Sequence, residues 1–177
     1  MLSLILIFIV VGLVAGLIAG MFGLGGGVVI VPALIYTFGS LAFPDSIMTH
    51  LAVGTSLGCI VVTATVSSWT HWQKRAIEVN VLTTMVPGVL LGGWLGGVVA
   101  AWLEGAQLQM AFAAFLAFVS LTMLTGLTQG RGQVPGPVGG SIAGAFIGCV
   151  SSMFGVGGGS ITVPYFRFCN MVMARAV

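Results

Sequence analysis

Two glycine-rich stretches hold the residues whose types and spacing could do chemistry in this chain. Residues 20–32 read GMFGLGGGVVIVP and residues 152–164 read SMFGVGGGSITVP, so the same pattern returns after 132 residues. Each stretch has three consecutive glycines in an apolar run and closes on a proline, and both residue types are poor in a helix interior. The pattern predicts that one helix ends and another begins at each stretch.

The predicted chemistry is anion binding by the backbone. A helix that begins at such a break presents unpaired N–H groups and the positive end of its dipole, which attract anions. We therefore predict that the helix starts at Gly25–Val28 and Gly157–Ser160 bind one small anion from opposite sides. The substrate-binding glycines in this hypothesis are Gly25, Gly26, Gly27, Gly157, Gly158 and Gly159. The alternative is that the glycines only allow helices to pack closely where they cross.

Hydroxyl groups in a later apolar run are further candidates for the anion site. The segment HLAVGTSLG at 50–58 places Thr55 and Ser56 about two turns into this run. Their hydroxyls could bond the anion, or they could bond their own helix. His50 lies near the outer mouth of the run, where it either contributes to the site or caps a helix end. The sequence shows no catalytic set and no metal-ligand cluster, so we expect no enzyme, no cofactor and no metal.

The composition predicts an all-α integral membrane protein. Charged residues make up 5% and hydrophobic residues 58% of the 177 residues, whereas soluble domains carry about 25% charge. The net charge of +2, without a basic run, excludes nucleic-acid binding. Three cysteines in apolar segments have no metal-site or disulfide spacing, so we interpret them as small membrane residues, namely Cys59, Cys149 and Cys169.

The apolar runs predict the membrane spans. A run of about 20 residues crosses a bilayer as a helix. Four runs have that length, namely 2–21, 47–70, 79–102 and 108–127. Three shorter runs adjoin the glycine stretches, namely 28–39, 138–153 and 160–169.

The few charges orient these spans. Lys74, Arg75 and Arg131 lie in loops that the positive-inside rule places in the cytoplasm. The loops near Asp45 and Glu104 are then outside. The first glycine stretch is therefore reached from outside and the second from inside, as in an inverted-topology repeat.

The predicted organisation is one transmembrane domain over residues 1–177, with a first repeat at 1–127 and the start of a second at 138–177. The ending ARAV parallels HLAV at 50–53, after which the first repeat continues with further spans. On repeat symmetry roughly 75 residues are missing. We expect that a chain without them does not transport alone.

Small residues at fourfold spacing form three stripes of the kind that lets helices pack closely. The stripes are Gly12, Gly16 and Gly20, then Gly88, Gly92 and Gly96, and finally Gly144, Gly148 and Ser152. Arg167 follows the second glycine stretch and is a candidate for a charge at membrane depth, which is a functional hypothesis by default.

The ordered motifs resemble the sulfite exporter TauE/SafE family. They are GMFGLGGGVVIVP, HLAVGTSL, SSWTHWQKRAIE, PGVLLGGWLGG and SSMFGVGGGSITVP. The resemblance implies a multi-helix secondary transporter of the bacterial inner membrane that exports small sulfur-containing anions, such as sulfite or organosulfonates. Two alternatives stay open, a channel-like anion pore and a non-transporting scaffold or accessory subunit. The expected partners are the lipid bilayer and the anion, and a homo-oligomer is left open.

Overall fold

The described part of the chain is built from helices joined by short turns. The computed structural model describes residues 2–22, 26–41, 43–73, 79–125 and 137–168. Within these ranges lie α1 (Leu2–Phe22), α2 (Gly27–Ser40), α3 (Asp45–Gln73), α4 (Val79–Trp102), α5 (Gly105–Thr125), α6 (Pro137–Phe154) and α7 (Gly159–Phe168). No strand occurs in them, which confirms the predicted all-α class.

Three of the helices are long and apolar enough to cross a membrane, judged by length and composition. These segments are Ser46–Thr70, Leu82–Trp102 and Gly105–Thr122. Shorter apolar segments lie at Phe8–Leu17, Gly27–Ser40 and Val138–Phe154. Large apolar side chains point away from the protein, for example Leu90 at 69% and Trp94 at 70% exposed. Lipid tails are as apolar as these side chains, so their exposure suits a membrane protein.

Helices α4 and α6 touch backbone to backbone along the predicted glycine stripe of α4. A methyl carbon added at any of the three stripe glycines would overlap a carbonyl oxygen of α6. The overlapping pairs are Gly88 with Ser141, Gly92 with Ala145, and Gly96 with Cys149. Because the residue numbers rise together, the two helices run parallel. The predicted packing role of this stripe is confirmed.

Glycines of α6 complete the same contact from the other side. A methyl carbon at Gly144 would lie 2.6 Å from the Met85 carbonyl oxygen, and one at Gly148 would overlap the Val89 carbonyl oxygen. The Ser141 hydroxyl adds a hydrogen bond to the Thr84 carbonyl at 2.7 Å. The stripe of α6 is therefore filled by α4.

The stripe of α1 has no such partner among the described residues. A methyl carbon at Gly12, Gly16 or Gly20 would meet nothing within 4 Å. Helix α1 packs through a neighbouring face instead. Its Ala15 is 2% exposed, and its Phe8 ring centroid lies 6.4 Å from that of Phe38 in α2. The close packing predicted for this stripe is therefore not seen in the described part of the chain.

The main apolar cluster surrounds the end of α6. The Phe154 ring, which is 6% exposed, lies against two rings of α5, with centroids 5.7 Å from Phe112 and 5.1 Å from Phe115. Val31 of α2 and Val53 of α3 belong to the same cluster. The second glycine stretch thus begins at a point where four helices meet.

The contact between α4 and α6 can be tested with two adjacent glycines. We expect Gly92→Ala to lower the free energy of unfolding by about 1–3 kcal/mol, the usual cost of overpacking. The matched control is Gly93→Ala, whose added carbon meets nothing within 4 Å. It should be neutral or stabilising by up to about 1 kcal/mol, because alanine favours a helix over glycine. Thermal unfolding in detergent, followed by circular dichroism, measures both, and equal melting temperatures would contradict the packing.

Candidate functional site

Both glycine stretches interrupt the helical chain as predicted. Helix α1 ends at Phe22 and α2 begins at Gly27, while α6 ends at Phe154 and α7 begins at Gly159. The two interruptions therefore fall at corresponding places in the two stretches. Residues 23–25, which include the predicted Gly25, lie outside the described residues.

Helix α6 ends in a turn that favours glycine. Gly155 has φ +64°, a left-handed conformation that side-chain-bearing residues rarely adopt. The Val156 N–H donates to the Ser151 carbonyl at 3.0 Å, and the Gly155 N–H donates to the Ser152 carbonyl at 3.4 Å. The Ser151 hydroxyl also bonds the Val156 carbonyl. This is a Schellman motif, which supplies donors to the last carbonyls of a helix.

The two interruptions touch each other. A methyl carbon added at Gly27, the first residue of α2, would overlap the Gly155 carbonyl oxygen and would lie 2.5 Å from the Val156 Cα. The backbone of α2 therefore begins against the turn that ends α6. Only a residue without a side chain allows this approach, and Gly27 is the predicted site residue that makes it.

Helix α3 holds the same turn in place. The Ser56 hydroxyl, fully buried, donates to the Gly155 carbonyl at 2.7 Å. A methyl carbon at Gly155 would lie 2.8 Å from the Val53 carbonyl oxygen, so α3 also covers the turn sterically. Ser56 is thus at the predicted site, but its hydrogen is committed to a backbone carbonyl. Its role in this arrangement is to position the turn.

The two helix starts have the same hydrogen-bond pattern. The Gly26 carbonyl accepts from the N–H groups three and four residues later, at 3.1 and 2.9 Å. The Gly158 carbonyl does the same at 3.1 and 2.9 Å. The first N–H groups of each helix have no partner within that helix. At the start of α7 the Ser160 N–H already donates to the Gly157 carbonyl at 3.3 Å. Both starts carry the positive dipole end that the sequence predicts.

Two of the predicted glycines have room beside them. A methyl carbon at Gly158 would meet only the Thr162 Oγ1 at 3.7 Å, which is an ordinary contact. One at Gly26 would meet the Cδ1 end of the flexible Ile30 side chain at 2.7 Å. These two positions differ from Gly27 and Gly155, which are closed by backbone. A ligand that approaches the helix starts has space at Gly26 and Gly158.

The structure separates the other predicted residues from this site or leaves them undescribed. The Thr55 side chain is exposed, and its hydroxyl donates to the Leu51 carbonyl of its own helix at 2.7 Å. His50 is half-buried, and its Nε2 bonds the Ala100 carbonyl of α4 at 3.0 Å. The side chain of Arg167 lies outside the described residues.

One residue that shapes the site was missed in the sequence. Gly155 ends α6, accepts the Ser56 bond and contacts Gly27, yet it precedes the glycine triplet on which the prediction rested. The available signal was a glycine directly after the last apolar residue of a helical run, which is the usual left-handed helix end.

Among the described residues, the electric field at the helix starts comes from backbone dipoles and not from charged side chains. Glu104 is the one charged residue whose side chain is described, and it lies exposed in the turn between α4 and α5. An open groove of about 500 Å³ runs along the second half of α3, lined by Ala64, Thr65, Ser68, Trp69 and Trp72. It begins eight residues beyond Ser56, about 12 Å along the helix, and is separate from the site.

Apolar helices with two interruptions, where the start of α2 lies against the end of α6, fit the construction of a membrane transport protein. Comparison with known proteins supports this class. The model of the sulfite exporter TauE/SafE family matches residues 8–177, and the chain belongs to that family. The prediction made from the ordered motifs is confirmed. The family is named for an exporter, which indicates a membrane transporter rather than an enzyme.

Curated relatives carry the same kind of name. A probable membrane transporter protein of Haemophilus influenzae is 31% identical over 159 residues, which are 89% of this chain and 60% of the relative. One of Methanocaldococcus jannaschii is 25% identical over 163 residues, 89% and 59% of the two chains. YunE of Bacillus subtilis, similarly named, is 26% identical over 165 residues, 81% and 60%. The chain thus spans about 60% of the length of these relatives. No solved structure matches it significantly.

The turn at Gly155 gives a test of the site's architecture. We expect Gly155→Ala to destabilise the protein by at least about 1–2 kcal/mol, the cost of a left-handed conformation for a residue with a side chain. The collision with the Val53 carbonyl adds to this cost. Gly158→Ala, in the same stretch but with open space, is the control and should keep the parent stability. Unfolding titrations in detergent compare them, and a stable Gly155→Ala protein would refute the description of this turn.

Proposed function

We propose that this protein is a secondary transporter that exports small sulfur-containing anions, such as sulfite or organosulfonates, across the bacterial inner membrane. The observation that carries the proposal is that the start of α2 lies against the buried turn that leads from α6 into α7, a second helix start with matching hydrogen bonds to its glycine carbonyl. Membership of the family supports transport, and the helix starts support an anion as the substrate.

The proposed binding groups are backbone N–H groups of the two glycine triplets. They belong to Gly25, Gly26, Gly27, Gly157, Gly158 and Gly159. A helix start carries about half a positive charge, and two of them directed at one ligand suit a small anion. Among the described residues, Gly26 and Gly158 have only the Ile30 and Thr162 side chains beside them, not backbone, and they are the proposed positions where the ligand reaches the backbone.

The hydroxyls of Ser56 and Thr55 have different roles in this proposal. Ser56 fixes the Gly155 turn from which the second helix start follows, and so it supports the site without donating to the ligand. Thr55 is left out of the site, because its hydroxyl bonds the Leu51 carbonyl on an exposed side of α3.

The direction and the two-sided access rest on the family resemblance and on the proposed inverted repeat. The first glycine stretch is reached from outside and the second from inside in the charge-based topology. A site beside the contact of Gly27 with the Gly155 turn would then be accessible from either side in turn, which is what a transporter requires.

The decisive experiment measures anion binding and flux in leucine variants. We expect the purified protein to bind radiolabelled sulfite or sulfoacetate saturably, and proteoliposomes with a form completed to the length of its relatives to show saturable counterflow. Gly26→Leu and Gly158→Leu should each weaken binding by about tenfold or more, because leucine covers the N–H groups of a helix start. Gly93→Leu, which also faces open space but lies on α4, is the matched control and should bind as the parent does.

Each other outcome removes a specific part of the proposal. Unaltered binding in both variants would refute the helix-start site. Flux without saturation or counterflow would favour a channel-like pore. Neither binding nor flux, in this chain and in a form completed to the length of its relatives, would favour a scaffold or accessory subunit.

A further inference from the structure

The end of α4 holds a backbone carbonyl that its own helix does not satisfy. Ala100 lies in the last turn of α4 and is 8% exposed. In a longer helix the N–H of Glu104 would reach this carbonyl. That N–H instead donates to the Gln107 Oε1 at 3.2 Å, and the Glu104 carbonyl accepts from the Leu108 N–H at 2.9 Å. Glu104 therefore caps α5, and the Ala100 carbonyl needs a donor from elsewhere.

His50 of α3 is that donor. Its Nε2 lies 3.0 Å from the Ala100 carbonyl oxygen. Because a carbonyl only accepts hydrogen bonds, Nε2 must carry a hydrogen here. The negative end of the α4 dipole favours a donor at this place. The contact joins residues that are 50 positions apart in the chain, so it fixes one helix against another.

A second bond fixes α3 six residues further along. The Ser56 hydroxyl donates to the Gly155 carbonyl at the end of α6. His50 and Ser56 are thus about 9 Å apart along the axis of α3. The ends that they hold belong to α4 and α6, which are locked together by their glycine contacts. The three contacts form a closed ring, in which the axial position of α3 is fixed at two points.

We infer that His50 is a positioning residue for the anion site. Its bond to the Ala100 carbonyl sets the axial position of α3 at which Ser56 reaches the Gly155 carbonyl. The position of the Gly155 turn in turn sets where α7 begins. The inference rests on the proposed function for the identity of the site, but the link between His50 and Gly155 can be measured without transport.

The test compares two substitutions of similar size. His50→Leu removes the donor, and His50→Gln keeps an N–H that can reach a carbonyl. We expect His50→Leu to speed hydrogen exchange of the amides at 155–160 by about tenfold. Loss of the His50 bond loosens α3, and the Ser56 bond to the Gly155 carbonyl weakens with it. It should also raise the Kd for sulfite, and His50→Gln should restore both values. Thr63→Val, an exposed residue that bonds only its own helix, is the control and should change neither.

A double-substitution cycle separates positioning from general stability. Ser56→Ala should speed the same amides, and His50→Leu added to it should speed them little further, because both act through one ring. Unchanged exchange at 155–160 in His50→Leu would overturn the inference, as would a uniform rise along all helices. If the variants show the expected exchange but the parent protein does not bind sulfite, the link between His50 and Gly155 is supported and the anion assignment is overturned.

Discussion

A backbone carbonyl at the end of a helix inside a bilayer has no water to bond, so the protein must supply its hydrogen-bond donor. The end of α6 meets this constraint at Gly155. The Schellman turn bonds the preceding carbonyls, and the Ser56 hydroxyl bonds the carbonyl of Gly155 itself. The same carbonyl group is the surface against which α2 begins at Gly27. Three helices therefore depend on one satisfied carbonyl, and α7 starts four residues beyond it.

The glycines around this point have three different physical roles. Gly155 provides the left-handed turn, and Gly27 allows contact between backbones. Gly26 and Gly158 have neither role, and among the described residues only the Ile30 and Thr162 side chains lie beside them. The sequence posed two alternatives, an anion site or close packing, as if they applied to the whole stretch. The structure shows that packing accounts for some of these glycines and leaves others available to a ligand.

Much of the fold follows from hydropathy and glycine spacing, because both report on a helix in lipid. The spans, the two interruptions and the packing stripe Gly88–Gly92–Gly96 were all predicted on this basis. The orientation of single side chains was not, because Thr55 and Ser56 are adjacent hydroxyls that point about 100° apart on a helix. Only tertiary contacts reveal that Ser56 faces the turn and Thr55 faces away. The contact of Gly27 with Gly155 joins positions that do not correspond between the two stretches, so the repeat pattern could not predict it either. The inverted repeat itself remains a prediction, supported locally by the matching bonds at Gly26 and Gly158.

Helix α2 packs against α3, and α4 packs against α6. Among the described residues, side-chain hydrogen bonds from His50 and Ser56 of α3 join these two pairs. Transporters with repeated halves alternate access largely by rocking one packed group against another. Because the two donors lie off the axis of α3 and about 120° apart around it, sliding along that axis or rotating about it displaces both from their acceptors. Under the proposed function, rocking of one pair against the other must therefore break or exchange these two bonds. The start of α2 would then move relative to the turn after α6, which it contacts through Gly27 and Gly155.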